Sequence, residues 1–246
     1  MLEELTAFNA NVPIKGIRFY LAEENTFLIV SLRELKVFSS AVMGGKQRRV
    51  KFILHHTVGK NYNSDNPAED LARLAKKMNL GEQVLGLMTA VDVRHTVMSF
   101  DTKKGLAVAS LCAVGMNNAC SIGDIAAHTS MVAPGTISIV VLIDGNMSRV
   151  AMVNALITAA EAKTMAVLQS GIRLPDGAPA TGTTNDVIVI ACTGRGKPYP
   201  HAGAATDLGC LIGRTVCRSV TQGINDNVTA IGVDGPLKPA GVVLPN

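Results

Sequence analysis

The chain has no tryptophan, and aromatic residues make up only 4% of its 246 positions. That scarcity removes the stacking platforms of single-strand nucleic-acid binders, so no nucleic-acid partner is expected. Charge is scarce too: 17% of residues are charged and 48% hydrophobic, with a net charge of +4 and a mean hydropathy of +0.28. So little charged surface fits a layered domain, or one that hides area in a homo-oligomer. A long apolar run is also missing. Residues 136–143 are too few, and 150–168 are interrupted by Asn154, Thr158, Glu161 and Lys163. No membrane partner is therefore expected. The basic run 46–51 opens onto a strand-like segment and reads as a solvated strand entrance.

Five cysteines, at 112, 120, 192, 210 and 217, contain no CxxC pair, so neither a disulfide framework nor a zinc ribbon is indicated. His55 and His56 form no metal-ligand spacing with His95, His128 or His201, and no metal site is expected. The opening Met-Leu-Glu-Glu lacks the basic and apolar regions of a secretion signal, which suggests a reducing cytoplasm. No strand leads into a GxGxxG or a P-loop, so a nucleotide cofactor is not expected either.

What is present is a succession of β-branched and apolar segments interleaved with three helical patterns. Residues 14–21 and 26–32 read as a hairpin around Glu23-Glu24-Asn25, followed by strands at 37–43 and 50–58. Asn66-Pro67-Ala68-Glu69 starts a helix, with Asn66 as N-cap, proline at the first position and Glu69 closing a capping box. Gly81 is read as its end. Strands follow at 84–91, 96–100, 106–114, 136–143 and 187–192. Ser148 caps a long apolar helix to about 169, and Thr206 caps a last one. From Gly223 the glycine- and proline-rich tail is expected on the surface. Hairpins with only three helices predict an α+β fold: mixed, largely antiparallel sheets with about three helices packed in layers, in a single domain spanning 1–246.

The segment 134–192 carries the strongest chemical signal. Its apolar helix places Asn154, Thr158 and Glu161 at i, i+4 and i+7, within an arc of roughly 60°. Burying an amide, a hydroxyl and a carboxylate together is costly unless they are paired or face a ligand. A carboxylate there would suit a general base. The competing reading pairs Glu161 with Lys163, which points about 160° away on the helix. The turn Thr181-Gly182-Thr183-Thr184-Asn185-Asp186 offers hydroxyls and backbone amides for an oxyanion, or a threonine nucleophile beside a base. Alternatively its side chains satisfy their own backbone. His55 and His56 are successive strand residues, so only one of them can enter a given site. Asn117 and Asn118 lie in an irregular glycine-flanked segment, and Cys192 ends an apolar strand and reads as core.

In order along the chain, these segments resemble the adenosylcobinamide amidohydrolases of corrinoid salvage. The resemblance rests on Phe38-Ser39-Ser40-Ala41-Val42-Met43-Gly44-Gly45, His56-Thr57-Val58 with Tyr62, Gly86-Leu87-Met88-Thr89-Ala90-Val91 and residues 115–124. It continues through Pro134-Gly135-Thr136-Ile137, the helix from Asn154 to Thr164, Ala180-Thr181-Gly182-Thr183 with Asp186, and Leu208-Gly209-Cys210-Leu211-Ile212-Gly213-Arg214. It covers residues 36–220. The family cleaves the amide joining the corrinoid's propionyl arm to aminopropanol, leaving adenosylcobyric acid. The chain departs from the family's usual pattern at His55, Lys46, Thr184 and Asn185, the last replacing a hydroxyl.

The resemblance implies that Glu161 activates water or a hydroxyl of Thr181, Thr183 or Thr184, and that His56 or Asp186 steers the proton. Asn154, Thr158, Asn117, Asn118, Gly182 and Asn185 would then contact a corrinoid substrate, with no cofactor required. Two other readings stand beside it. His55 and Asn185 motivate a corrinoid-binding or carrier protein without hydrolysis; a general amidase with a threonine nucleophile would show itself by a trapped acyl-enzyme.

Overall fold

Alternation of apolar and polar positions fixes which side of each strand is buried, and here the central strands, at 84–89, 106–115, 136–144 and 187–192, are buried on both sides. The computed structural model describes residues 6–7, 12–22, 25–45, 48–59, 61–123 and 136–230. His128, Lys46, Asp124, Pro134 and Gly135 fall outside them. The strands are β1 (Thr6–Ala7), β2 (Ile17–Ala22), β3 (Thr26–Ser39), β4 (Arg48–Thr57), β5 (Val84–Thr89), β6 (Val97–Lys103) and β7 (Leu106–Gly115). They continue with β8 (Ala119–Cys120), β9 (Thr136–Asp144), β10 (Asn146–Met147), β11 (Gly182–Thr183), β12 (Val187–Cys192) and β13 (Pro198–Tyr199). The helices are α1 (Pro67–Lys77), α2 (Arg149–Gln169) and α3 (Asp207–Ala230).

One hydrogen-bonded sheet runs β1-β2-β3-β12-β9-β7-β6, with β4 joined to β3 and β5 to β4. Only the β4/β5 and β9/β12 pairs of this sheet are parallel. β3 is a single 14-residue strand where the sequence suggests two. Its register against β4 shifts between Val30 and Leu35, and this irregularity divides the sheet into two leaves. The first part of β3 pairs with β2 and β4; its end, Lys36–Ser39, pairs with β12.

Phe27, Ile29, Ile53, Leu85 and Leu87 of one leaf pack against Ala109, Leu111, Val140, Leu142 and Val189 of the other. The opposite face of the second group, including Ile139, Val141, Ile190 and Cys192, meets α2 and α3. Leu28, Leu54 and Val84 meet Leu71 and Ala75 of α1. The result is four layers, helix–sheet–sheet–helix, which bears out the expected mixed, mainly antiparallel plan with three helices.

Local signals set the helix ends. Asn66 accepts from the Glu69 amide at 3.4 Å, and Ser148 accepts from the Ala151 amide at 3.0 Å. Thr206 caps the start of α3 through the Gly209 amide at 2.9 Å. α1 ends earlier than the sequence suggests. Asn79, at φ 52°, takes the left-handed position, and Leu80 donates back to the Ala75 carbonyl, so Gly81 lies beyond the cap. α3 runs on to Ala230, so Gly223 is not in a surface tail. A Cβ added at Gly223 would meet Val114 Cγ2 at 2.6 Å, which is why the helix approaches β7 closely there.

α2 and α3 run in the same direction. Asp207 at the start of α3 pairs with Lys103 and Lys104 beside the first residues of β7, and Asn227 accepts from the Met116 amide just past its end. α2 leaves from the end of β9 and passes back toward its beginning, where Lys163 meets Asp186 and Asp186 meets the Ile137 amide.

Candidate active site

The turn before β12 is fastened from several sides. Thr181 donates its amide to the Cys120 carbonyl at 2.9 Å, and its Oγ1 accepts from the Ile122 amide at 2.8 Å. β11 pairs with β8 so that Gly182 faces Cys120 and Thr183 faces Ala119. Asn118 Nδ2 donates to Thr184 Oγ1 at 2.6 Å, and Thr136 Oγ1 donates to the Asn185 carbonyl at 2.7 Å. Segments far apart in sequence thereby hold one short loop.

Asp186 is the centre of this arrangement. Its Oδ1 accepts from the Thr183 hydroxyl at 2.5 Å, the Thr183 amide at 3.1 Å and the Ile137 amide at 3.3 Å. Its Oδ2 accepts from Lys163 Nζ at 2.5 Å. The lysine and aspartate side chains are only 12% and 15% exposed, so neither charge is well hydrated and each depends on the other. Gly182 is required by proximity. A Cβ there would collide with the Asp186 carboxylate and lie 2.5 Å from Lys163 Nζ.

Chemically, a nearly buried threonine hydroxyl donates to a carboxylate whose charge and direction are fixed by an ammonium group. That is the geometry of an activated hydroxyl. The turn brings together Asn118, Thr181, Gly182, Thr183, Thr184, Asn185 and Asp186; Thr184 and Asn185 are exposed at its tip. Asn117 is exposed beside it.

Other expected residues lie elsewhere. Thr158 is buried and donates to the Ala202 carbonyl at 3.0 Å, while Asn154 is half-buried. Glu161 is exposed, against the expectation of a buried carboxylate, and lines a groove of about 510 Å³ between α2 and α3. The helix turns about 160° between Glu161 and Lys163, so the residue that reaches the turn is the lysine. His56 Nδ1 bonds Thr26 Oγ1 at 2.9 Å and lines a separate cavity of about 240 Å³ with Tyr62, Asp70 and Met88. Thr26 lies at the opposite end of β3 from Ser39, the end that pairs with β12 next to the turn.

From sequence alone, Lys163 stands only as a partner for Glu161. The available signal was its place on the inward side of an apolar helix, where an ammonium group demands a carboxylate. Cys192 is fully buried, and burial pushes its thiol up, in line with a core role. Among the described residues no group of three His, Cys, Asp or Glu is placed to hold a metal ion.

The family model described as adenosylcobinamide amidohydrolase matches residues 11–231 of this chain. The adenosylcobinamide amidohydrolase of Methanosarcina mazei is 27% identical over 214 residues, covering 83% of this chain and 96% of that protein. The adenosylcobinamide amidohydrolase of Halobacterium salinarum is 31% identical over 97 residues, 39% of each chain. Among solved structures, an L-aminopeptidase D-Ala-esterase/amidase from Ochrobactrum anthropi overlaps 90% of this chain and 83% of its own at 10% identity, with a TM-score of 0.39. That overlap is too loose to bear on function.

Proposed function

Because the chain belongs to the adenosylcobinamide amidohydrolase family and is a hydrolase of amide bonds, we propose that it cleaves the aminopropanol amide of adenosylcobinamide at the turn before β12. The products are adenosylcobyric acid and aminopropanol, which places the reaction in corrinoid salvage. The observation that carries the assignment of the site is the Thr183 hydroxyl held on Asp186, with Lys163 on the other carboxylate oxygen.

In this reading Asp186 takes the Thr183 proton as the hydroxyl oxygen attacks the amide carbon. The carbonyl oxygen becomes an oxyanion that needs amide donors, for which the exposed tip of the turn is suited. Collapse breaks the C–N bond, and the leaving amine takes the proton from Asp186. Water then hydrolyses the Thr183 ester, releasing the corrinoid carboxylate and restoring the hydroxyl. Lys163 keeps Asp186 oriented through both halves. No step is assigned to Glu161 or His56, and none calls for a cofactor. A cytoplasmic location belongs to the same proposal; it is supported by five cysteines, all present as free thiols.

Incubation with adenosylcobinamide, followed by liquid chromatography and mass spectrometry, tests the function. Aminopropanol released together with adenosylcobyric acid supports it. Corrinoid bound but left intact would favour a carrier, and absence of both binding and turnover would overturn the substrate. A Thr183-linked acyl adduct trapped by acid quench would identify the nucleophile; an adduct elsewhere, or turnover retained in Thr183→Ala, would exclude it.

A further inference from the structure

α2 is largely apolar, yet it is not enclosed. It is long and apolar enough to cross a membrane by composition, but only 44% of its most apolar window is buried. Its outer face carries Val150, Val153, Ile157, Met165 and Leu168, each between 43% and 57% exposed. At about 100° per residue these five and Glu161 fall within one arc of roughly 120°. Beside this ridge runs the groove of about 510 Å³, walled by Thr158, Ala162 and Met165 on α2 and by Cys210, Gly213 and Cys217 on α3. A Cβ added at Gly213 would meet nothing within 4 Å, so the groove is open where its wall is smallest. A ridge and a groove of similar apolar character therefore lie side by side on one surface.

Charge makes the surface self-complementary. Glu161 sits within the ridge and, among the described residues, makes no ion pair or hydrogen bond. On the α3 wall Arg214 and Arg218 share a single carboxylate, Asp101, at 3.0 and 3.7 Å, and both guanidinium groups are about half exposed. One wall thus has an unmatched anion, the other a surplus cation, and the two do not meet within one copy.

We propose that a second copy of this chain covers the face, through a two-fold axis running along the groove. Because α2 and α3 are parallel, such an axis lays α2 of one copy over α3 of the other and keeps residues at the same height. Glu161 of each copy then faces Arg214 and Arg218 of the other, while Val153 and Ile157 pack into the opposite groove. An isologous contact of this kind buries both ridges at once. A bilayer is the poorer occupant, since it would supply Glu161 with no cation and place a carboxylate among acyl chains.

Light scattering after size-exclusion chromatography of the full chain at micromolar concentration tests this. The expected mass is twice the 25.8 kDa of one chain. Val153→Glu/Ile157→Glu should give monomer with an unchanged circular-dichroism spectrum. Glu161→Arg should weaken the dimer at least tenfold, and adding Arg214→Glu and Arg218→Glu should restore it. That rescue would separate a paired contact from simple loss of fold. A monomeric wild type overturns the proposal, as does a dimer indifferent to all of these changes. A monomer that sediments with phosphatidylglycerol vesicles would assign the face to a membrane instead and overturn it as well.

Discussion

Two polar clusters, at the two ends of β3, handle buried polarity in opposite ways. Before β12, four donors converge on the Asp186 carboxylate, and one of them, the nearly buried Lys163, balances its charge. At the end of β4, His55 points between the two sheet leaves opposite Phe27 and Leu87, and its Nε2 has no hydrogen-bond partner. Burial, with His56 nearby as the lesser cause, lowers the His55 pKa from 6.5 to about 4. The first cluster is a closed network suited to chemistry. The second is a neutral imidazole tolerated in the core, beside a histidine tied to Thr26. The contrast shows that polar residues in quoted motifs acquire roles only through the partners that the fold brings to them.

The comparison breaks most readily at Asp186. Asp186→Asn should cut turnover by about 10³-fold, while Thr183→Ser retains far more activity than Thr183→Ala, measured as aminopropanol release. Equal activity in wild type and Asp186→Asn would remove the turn from the chemistry. Next comes the ion pair itself. Lys163→Met should destabilise the fold by about 3–5 kcal/mol, because it leaves a carboxylate in a nearly dry site. Lys163→Met/Asp186→Leu should recover much of that loss in urea melts; a double variant no better than the single one would mean the pair is not coupled.

A somewhat smaller effect is expected at the histidine end. The unfolded imidazole takes up a proton near pH 6.5, whereas the folded one resists until about pH 4. Between these values the unfolded state binds more protons, so stability falls as pH drops through that window, by about 3 kcal/mol in all. His55→Asn should flatten this slope, and an unchanged slope would place the acid sensitivity elsewhere. The smallest change sharpens the roles of the two ends. Thr26→Val removes the hydrogen bond to His56 and should cost about 1 kcal/mol of stability without altering turnover. A tenfold fall in turnover would instead draw His56 into the reaction.

Much of the fold was legible in the sequence because its signals are local. Caps at Asn66, Ser148 and Thr206 act on amides three residues away, and apolar runs such as 136–143 and 187–192 are fit only for strands buried on both sides. β3 was harder to read, since charged and polar residues at its irregularity, including Arg33 and Glu34, look like a break between two strands. The reach of α3 to Ala230 was hidden by Gly223, a glycine required by the nearby Val114 rather than by a turn.

The candidate site divides along the same line. Sequence by itself singled out the hydroxyl turn and Asp186, since hydroxyls, glycine and an acid before a buried strand are dense local chemistry. It also placed Glu161 and Lys163 on opposite sides of one helix. Only the tertiary structure decided which of the two meets the turn, because that depends on which side of α2 faces the sheet. The register of β9 against β12 completes the answer, setting the Ile137 amide beside the Asp186 carboxylate across 49 residues of chain. Periodicity along a helix fixes relative directions, but packing against another element fixes absolute ones.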